Sequence, residues 1–228
     1  MASQLKVGAV IVAAGSSQRM GGIDKTLALL GNRAILARVV DIFQGCKPVD
    51  QIVIVLSEPN LERGRQLVAE QGWSKVTDVW PGGKRRQDSV VAGLSRLQDC
   101  DWVVIHDGAR PLLTEEIINR GLSEARETGA AAAAVPVTDT IKVSSGDRII
   151  RETLSRQNLW AVQTPQVFRL DIIAEAYRKS KGEVTDDASL VEQLGYRVKL
   201  YMGSYDNIKI TTPRDLALAE VLWQKYEK

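Results

Sequence analysis

Glycines, cations and single carboxylates gather at three points of this 228-residue chain, each following an apolar run. The first is Ala13-Ala14-Gly15-Ser16-Ser17-Gln18-Arg19-Met20-Gly21-Gly22, with Lys25 close behind. Small residues in such a turn let backbone N–H groups approach phosphate oxygens, and Arg19 and Lys25 add positive charge. The turn is no P-loop, because Gly-Lys-Ser/Thr does not follow, and it lacks the third glycine of the dinucleotide fingerprint. The second point is Pro81-Gly82-Gly83-Lys84-Arg85-Arg86-Gln87-Asp88-Ser89-Val90, where glycines and cations precede a helix start. That order suits a base or phosphate held by backbone groups, with Lys84 and Arg85 reading as solvated turn residues. The third, Val103-Val104-Ile105-His106-Asp107-Gly108-Ala109-Arg110-Pro111, brings a carboxylate and a guanidinium to the end of a strand. Asp107 is suited to ribose hydroxyls, to a phosphate-bound Mg²⁺, or simply to the turn; Arg110 is suited to gripping a phosphate. His106, the only histidine, lies in strand register and reads as structural.

Polar residues beside apolar runs complete the inventory: Arg156, Gln163-Thr164-Pro165-Gln166, Thr185-Asp186-Asp187, and Lys209 within 206–211. The last segment reads as a short strand before the final helix. A single histidine excludes a two-histidine metal site, and neither a G-x-S-x-G elbow nor a catalytic cysteine context occurs. Phosphate chemistry needs no protein base, since a phosphate monoester with a second pKa near ~6 is already anionic at neutral pH. It needs alignment and charge cancellation on a triphosphate. Arg19, Lys25, Arg110, Arg156 and Lys209, with Mg²⁺, match that task.

These groups must be positioned by a regular frame. Near-continuous apolar runs at 7–12, 52–56 and 102–105 read as strands buried on both faces, and 130–135, bracketed by Gly129 and Pro136, as a further strand. Between them, 34–43, 61–71 and 88–97 carry helical patterns. The alternation predicts an α/β fold: a Rossmann-like, mostly parallel twisted sheet with helices on both faces. The first turn of such a sheet faces the ligand crevice. Thr114 reads as a helix N-cap followed by Glu115 and Glu116, and Thr212-Pro213 as a cap with proline in the first turn. Residues 138–153 read as a β-hairpin turning near Gly146, with too little apolar surface to pack alone. The expectation is one domain with a protruding arm that leans on a partner subunit.

Composition sets the class. A formal net charge of +2 argues against a large nucleic-acid footprint. The apolar stretch near the N-terminus is too short to span a bilayer and lacks signal-peptide order. Cys46 and Cys100 show no metal-ligand spacing, and a reducing cytoplasm is the expected home.

With these residues placed, the sequence resembles the 2-C-methyl-D-erythritol 4-phosphate cytidylyltransferases of the non-mevalonate isoprenoid pathway. The segments AAGSSQRMGGIDK, PGGKRRQDSVVAGL, HDGARP, PVTDTIK, LWAVQTPQVF, TDDASLVEQLG and DNIKITTPRDLALAE carry the likeness, in order, across residues 10–220. The resemblance implies transfer of CMP from CTP to a polyol phosphate, giving 4-diphosphocytidyl-2-C-methyl-D-erythritol and pyrophosphate, with Mg²⁺ held mainly through the CTP phosphates. It implies that Arg19 and Lys25 stabilise the pentacoordinate α-phosphate and that Arg156 and Lys209 position the acceptor. It further implies that Ala14, Gly15, Gly83 and Ser89 read cytosine, and that Asp107, Arg110, Thr140 and Thr164 make further nucleotide or substrate contacts. The arm would interlock in a homodimer, so that Thr140 and Arg156 serve the neighbouring site. Ser17, where the family often has glycine, and Asp24, where proline commonly precedes the lysine, are departures expected to affect CTP affinity rather than the reaction.

Two other readings compete. A ribitol 5-phosphate cytidylyltransferase shares most nucleotide contacts, but the ribitol enzymes tend to vary around Ala109 of His-Asp-Gly-Ala-Arg-Pro. A non-catalytic nucleotide-binding homologue would be expected to have lost at least one of Arg19, Lys25 and Lys209, and all three are present.

Overall fold

A computed structural model describes residues 5–15, 27–179 and 182–225. Its frame is a seven-stranded sheet. The strands are β1 (Val7–Ala13), β4 (Gln51–Leu56), β5 (Val76–Pro81), β6 (Trp102–Asp107), β7 (Ala130–Pro136), β10 (Trp160–Arg169) and β11 (Lys199–Met202), in the order β11-β7-β10-β6-β1-β4-β5. β1, β4, β5 and β6 are mutually parallel, as are β7 and β11. β10 runs antiparallel to both β6 and β7 and joins the two parallel sets.

The two faces of β1 show why the sheet forms. Ala9, Ile11 and Ala13 point into one apolar layer, Val10 into the other, as the two-residue period of a strand requires. The first layer is closed by α1 (Ile35–Gly45), α2 (Leu61–Gln71) and α4 (Glu115–Thr128). α3 (Arg86–Leu94), α5 (Leu170–Lys179) and α6 (Asp187–Gln193) close the second. β7 lies between both layers, and its five alanines are fully buried, leaving room for helices on each side. Gly129, at φ 82°, ends α4 in the left-handed region where a side chain would be strained, and turns the chain straight into β7.

A third apolar cluster caps the sheet end. Leu30 and Ile35 meet Leu112, Ile210 and Ala219, the last from α7 (Pro213–Trp223). Leu30 belongs to a small ribbon of β2 (Leu29–Leu30) and β3 (Arg33–Ala34). α7 begins with a reciprocal cap: Asp215 N–H donates to Thr212 Oγ1 at 3.3 Å, and Asp215 Oδ2 accepts from Thr212 N–H at 2.8 Å. At α4, Thr114 occupies the N-cap by backbone conformation, without a side-chain capping bond.

The hairpin is present as β8 (Lys142–Ser144) and β9 (Ile150–Thr153), every residue of both strands exposed. Segment 206–211 is not the strand read from sequence: it is irregular chain held by side-chain bonds, because Asn207 turns inward and breaks the alternation. The third helix spans Arg86–Leu94 rather than 88–97.

Removing the Thr212 hydroxyl should cost about 1 kcal/mol, the usual worth of an N-cap. Urea unfolding of Thr212→Ala should show that loss at unchanged m-value.

Candidate active site

The C-terminal ends of β1, β4, β5 and β6 open onto two adjoining cavities. The first, about 350 Å³, is lined by Ala14 and Gly15 after β1, Gly83 and Ser89 around the start of α3, and Ala109 after β6. Gly82 lets these turns meet, since a Cβ there would stand 2.3 Å from the Ala14 Cβ and 2.6 Å from Ser89 Oγ. Ser89 is buried; its Oγ accepts the Gly83 N–H at 3.1 Å and donates to the Arg85 carbonyl at 3.3 Å. The second cavity, about 410 Å³, is lined by Arg110, Gln163, Thr164 and Gln166 among others. Arg86, Asp107 and Lys209 line both, forming the wall where the cavities meet.

Asp107 is the centre of that wall. Lys209 Nζ lies 2.7 Å from its Oδ2, Arg86 Nε 3.0 Å from its Oδ1, and Arg110 Nε 3.7 Å from Oδ2. Burial alone would raise the Asp107 carboxyl, but Arg86, Lys209 and Arg110 outweigh it and hold it far below the usual carboxylate range. Burial depresses Arg110, which donates to the Asn207 carbonyl at 2.7 Å.

Lys209 is delivered by the irregular 206–211 segment. The buried Asn207 amide donates to the Thr164 carbonyl at 2.8 Å and to Gln163 Oε1 at 3.1 Å, while Gln163 donates to the Ser204 carbonyl at 2.8 Å. Ile210 N–H donates to the Ala109 carbonyl at 2.8 Å. The anchor for these bonds is a register shift in β10 between Val162 and Gln166, around the cis Thr164–Pro165 peptide. Such irregularities re-aim side chains out of the strand alternation.

His106 is fully buried against Phe43, and its proton can be placed. Nε2 sits 3.2 Å from the Arg110 carbonyl oxygen, which only accepts, so Nε2 carries the hydrogen. Nδ1 therefore accepts from the Thr164 hydroxyl at 3.1 Å, whose oxygen accepts the Asp107 N–H at 3.0 Å. Thr164 thus has no hydroxyl hydrogen left for a ligand.

The structure brings Ala14, Gly15, Gly83, Ser89, Asp107, Arg110, Thr164 and Lys209 to this pair of cavities. Arg19 and Lys25 lie outside the described residues, as do Ser17 and Asp24. Thr140 and Arg156 are exposed and line neither cavity; the Arg156 guanidinium donates to the Thr138 carbonyl. Arg86, Asn207 and Asp187 hold the site together; Arg86 and Asp187 stand within polar runs noted in the sequence, but no role of its own is read there for any of the three. Lys84 and Arg85, read from sequence as solvated turn residues, are exposed but also line the first cavity, Arg85 paired with Asp88 at 2.6 Å. Among the described residues no three His, Cys, Asp or Glu side chains converge as a metal cage. Asp107, the carboxylate of the shared wall, is already engaged by Arg86 and Lys209.

Comparison with known proteins shows the family. Residues 7–225 match the family model for 2-C-methyl-D-erythritol 4-phosphate cytidylyltransferase. A relative of that name from Dehalococcoides mccartyi is 53% identical over 220 residues, covering 96% of this chain and 97% of its own. The fold is similar to a crystal structure of 4-diphosphocytidyl-2C-methyl-D-erythritol synthase from Anaerococcus prevotii, at a TM-score of 0.88 and 30% identity, covering 97% of each chain. It is also similar to the 2-C-methyl-D-erythritol 4-phosphate cytidylyltransferase structure from Thermus thermophilus, at 0.76 and 32% identity, covering 96% of this chain and 98% of that one.

Burial pushes His106 down to about 4 from an ordinary 6.5, so between those values the unfolded chain binds a proton that the folded chain refuses. Stability from keeping the ring neutral is complete above 6.5 and drains as pH falls towards 4, by about 3 kcal/mol in all. His106→Gln should flatten the melting temperature across that window relative to wild type and leave the chemical step nearly intact. Equal slopes for the two proteins would contradict the assignment.

Proposed function

Because this chain belongs to the 2-C-methyl-D-erythritol 4-phosphate cytidylyltransferase family, we infer that it joins CMP from CTP to 2-C-methyl-D-erythritol 4-phosphate and releases pyrophosphate. The observation that carries the reading is the wall of Asp107, Arg86 and Lys209 shared by two cavities, one for each substrate. CTP occupies the first, its base against Ala14, Gly15, Gly83 and Ser89. The acceptor phosphate enters from the second, on the side of Arg110 and Thr164.

An acceptor phosphate oxygen attacks the α-phosphorus and forms the new P–O bond. The bond to the bridging oxygen breaks, and its electron pair leaves with pyrophosphate. No proton need move, so the residues align and neutralise. Lys209 stands where both substrates meet, and Asp107 holds it there through the 2.7 Å contact. In this reading Arg19 and Lys25 neutralise charge growing on the α-phosphate. Mg²⁺, bound mainly by the CTP phosphates, would supply further charge cancellation.

The reading includes a homodimer joined through the 138–153 arm, with Thr140 and Arg156 completing the partner's site. Exposed Val143, Ile149 and Ile150 on the arm support it, and Arg156 is not among the residues that line the two cavities of its own chain. It also includes a cytoplasmic setting, in keeping with two free thiols, and action on small molecules rather than nucleic acid or membrane. No helix among the described residues is long and apolar enough to cross a membrane.

Pyrophosphate release with CTP and 2-C-methyl-D-erythritol 4-phosphate tests the activity; ribitol 5-phosphate, run in parallel, should give little. CTP binding without turnover on either acceptor would return the non-catalytic reading. The composite site has its own test. An Arg156→Ala subunit mixed with a Lys209→Ala subunit should regain activity, because one site of the heterodimer collects both lesions and the other neither. No recovery, with heterodimers verified by mass, would mean that each site is built from one chain.

A further inference from the structure

Behind the shared wall, a buried chain of polar groups leads away from the cavities. The Tyr177 hydroxyl, from α5, donates to Asp187 Oδ1 at the start of α6. Asp187 has no exposed surface, and its Oδ2 stands 2.9 Å from Arg86 Nη1. Arg86, the first residue of α3, then reaches Asp107 Oδ1 through Nε at 3.0 Å. Its remaining nitrogen, Nη2, is buried. Arg86 borders both cavities, yet its polar edge is turned inward onto two carboxylates.

We propose that Tyr177, Asp187 and Arg86 are positioning residues for cytidylyl transfer, a relay that fixes the orientation of Asp107 through the inward-turned polar edge of Arg86. The charges explain why Asp187 is needed. Arg86, Arg110 and Lys209 bear on Asp107, and one carboxylate cannot serve three cations equally. Asp187 takes up part of the Arg86 charge, so Asp107 Oδ1 is held while Oδ2 stays turned to Lys209. Without Asp187, Arg86 would be a mostly buried cation with one partner, and it would draw the Asp107 carboxylate towards itself. The pull reaches the substrates through Lys209 and Asp107, the groups that line both cavities. Three helices, α3, α5 and α6, thereby act on one carboxylate at the end of β6.

The inference rests on the cytidylyl-transfer reading, and wild-type turnover in the same assay checks that reading separately. Steady-state kinetics would be measured for Asp187→Asn, Tyr177→Phe, Asp107→Asn and the double variants with Asp107→Asn. Asp187→Asn should raise the KM of at least one substrate roughly tenfold, and Tyr177→Phe should move the same constant by a smaller factor. Neither change should add to the loss already caused by Asp107→Asn, because the relay acts only through that carboxylate. A merely structural role predicts a reduced active fraction, with kcat lowered, both KM values unmoved, and losses that multiply in the doubles. That result would overturn the proposal. If Asp187→Asn does not fold, the cycle of Tyr177→Phe with Asp107→Asn gives the same decision: coupled losses support the relay, independent losses reject it.

Discussion

A carboxylate with little access to water needs other groups to replace its hydration, and Asp107 has three cations, Arg86, Arg110 and Lys209, that do so. That requirement organises the molecule around the end of β6. Arg86 must begin a helix after β5, Arg110 must follow the turn after β6, and Lys209 must arrive from 102 residues further along the chain than Asp107. Each cation is fixed at its backbone by something else. Arg86 sits on α3, Arg110 is tied to the Asn207 carbonyl, and Lys209 hangs from a segment whose bonds run to β10 and Ala109. A fold that failed to bring any one of these segments home would leave the carboxylate under-compensated.

The antiparallel strand β10 is what makes the late segment reachable. It splits the sheet into two parallel sets, and its irregular stretch presents Gln163 and Thr164 to the cavity side. The three polar side chains there find partners within the chain: Gln163 with Ser204 and Asn207, Thr164 with His106 and Asp107, Gln166 with Asp186 and Ala188. Such partners offset the cost of burying polar side chains this deeply.

Much of this was legible in the sequence, and the exceptions share a cause. β1, β4, β6 and the helices between them carry uninterrupted apolar periods, so their places and the ligand-facing turns after them follow directly. β10 is hidden because Gln163-Thr164-Pro165-Gln166 breaks the apolar run, and burial of those polar groups depends on partners distant in the chain. Arg86 is one of three consecutive cations; only its phase at the head of α3 turns it inward while Lys84 and Arg85 face solvent. Asp186 and Asp187 diverge in the same way, the first capping α6 and the second sinking beneath it. A lysine two residues beyond an inward asparagine looks like a strand residue until the tertiary bonds of Asn207 are known.

The closed hydrogen-bond circuit at His106 bears on a competitor present in every such cavity, water. Hydrolysis of a nucleoside triphosphate needs a water molecule made nucleophilic, and that calls for a group able to take its proton. Both nitrogens of His106 are already spent, one donating to Arg110 and one accepting from Thr164, and the ring has no exposed surface. Asp107, held far below the usual carboxylate range by its cations, is too weak a base to help. Neither group is therefore a ready acceptor for a proton of water at the shared wall, whereas an acceptor that arrives as a phosphate anion needs no such help.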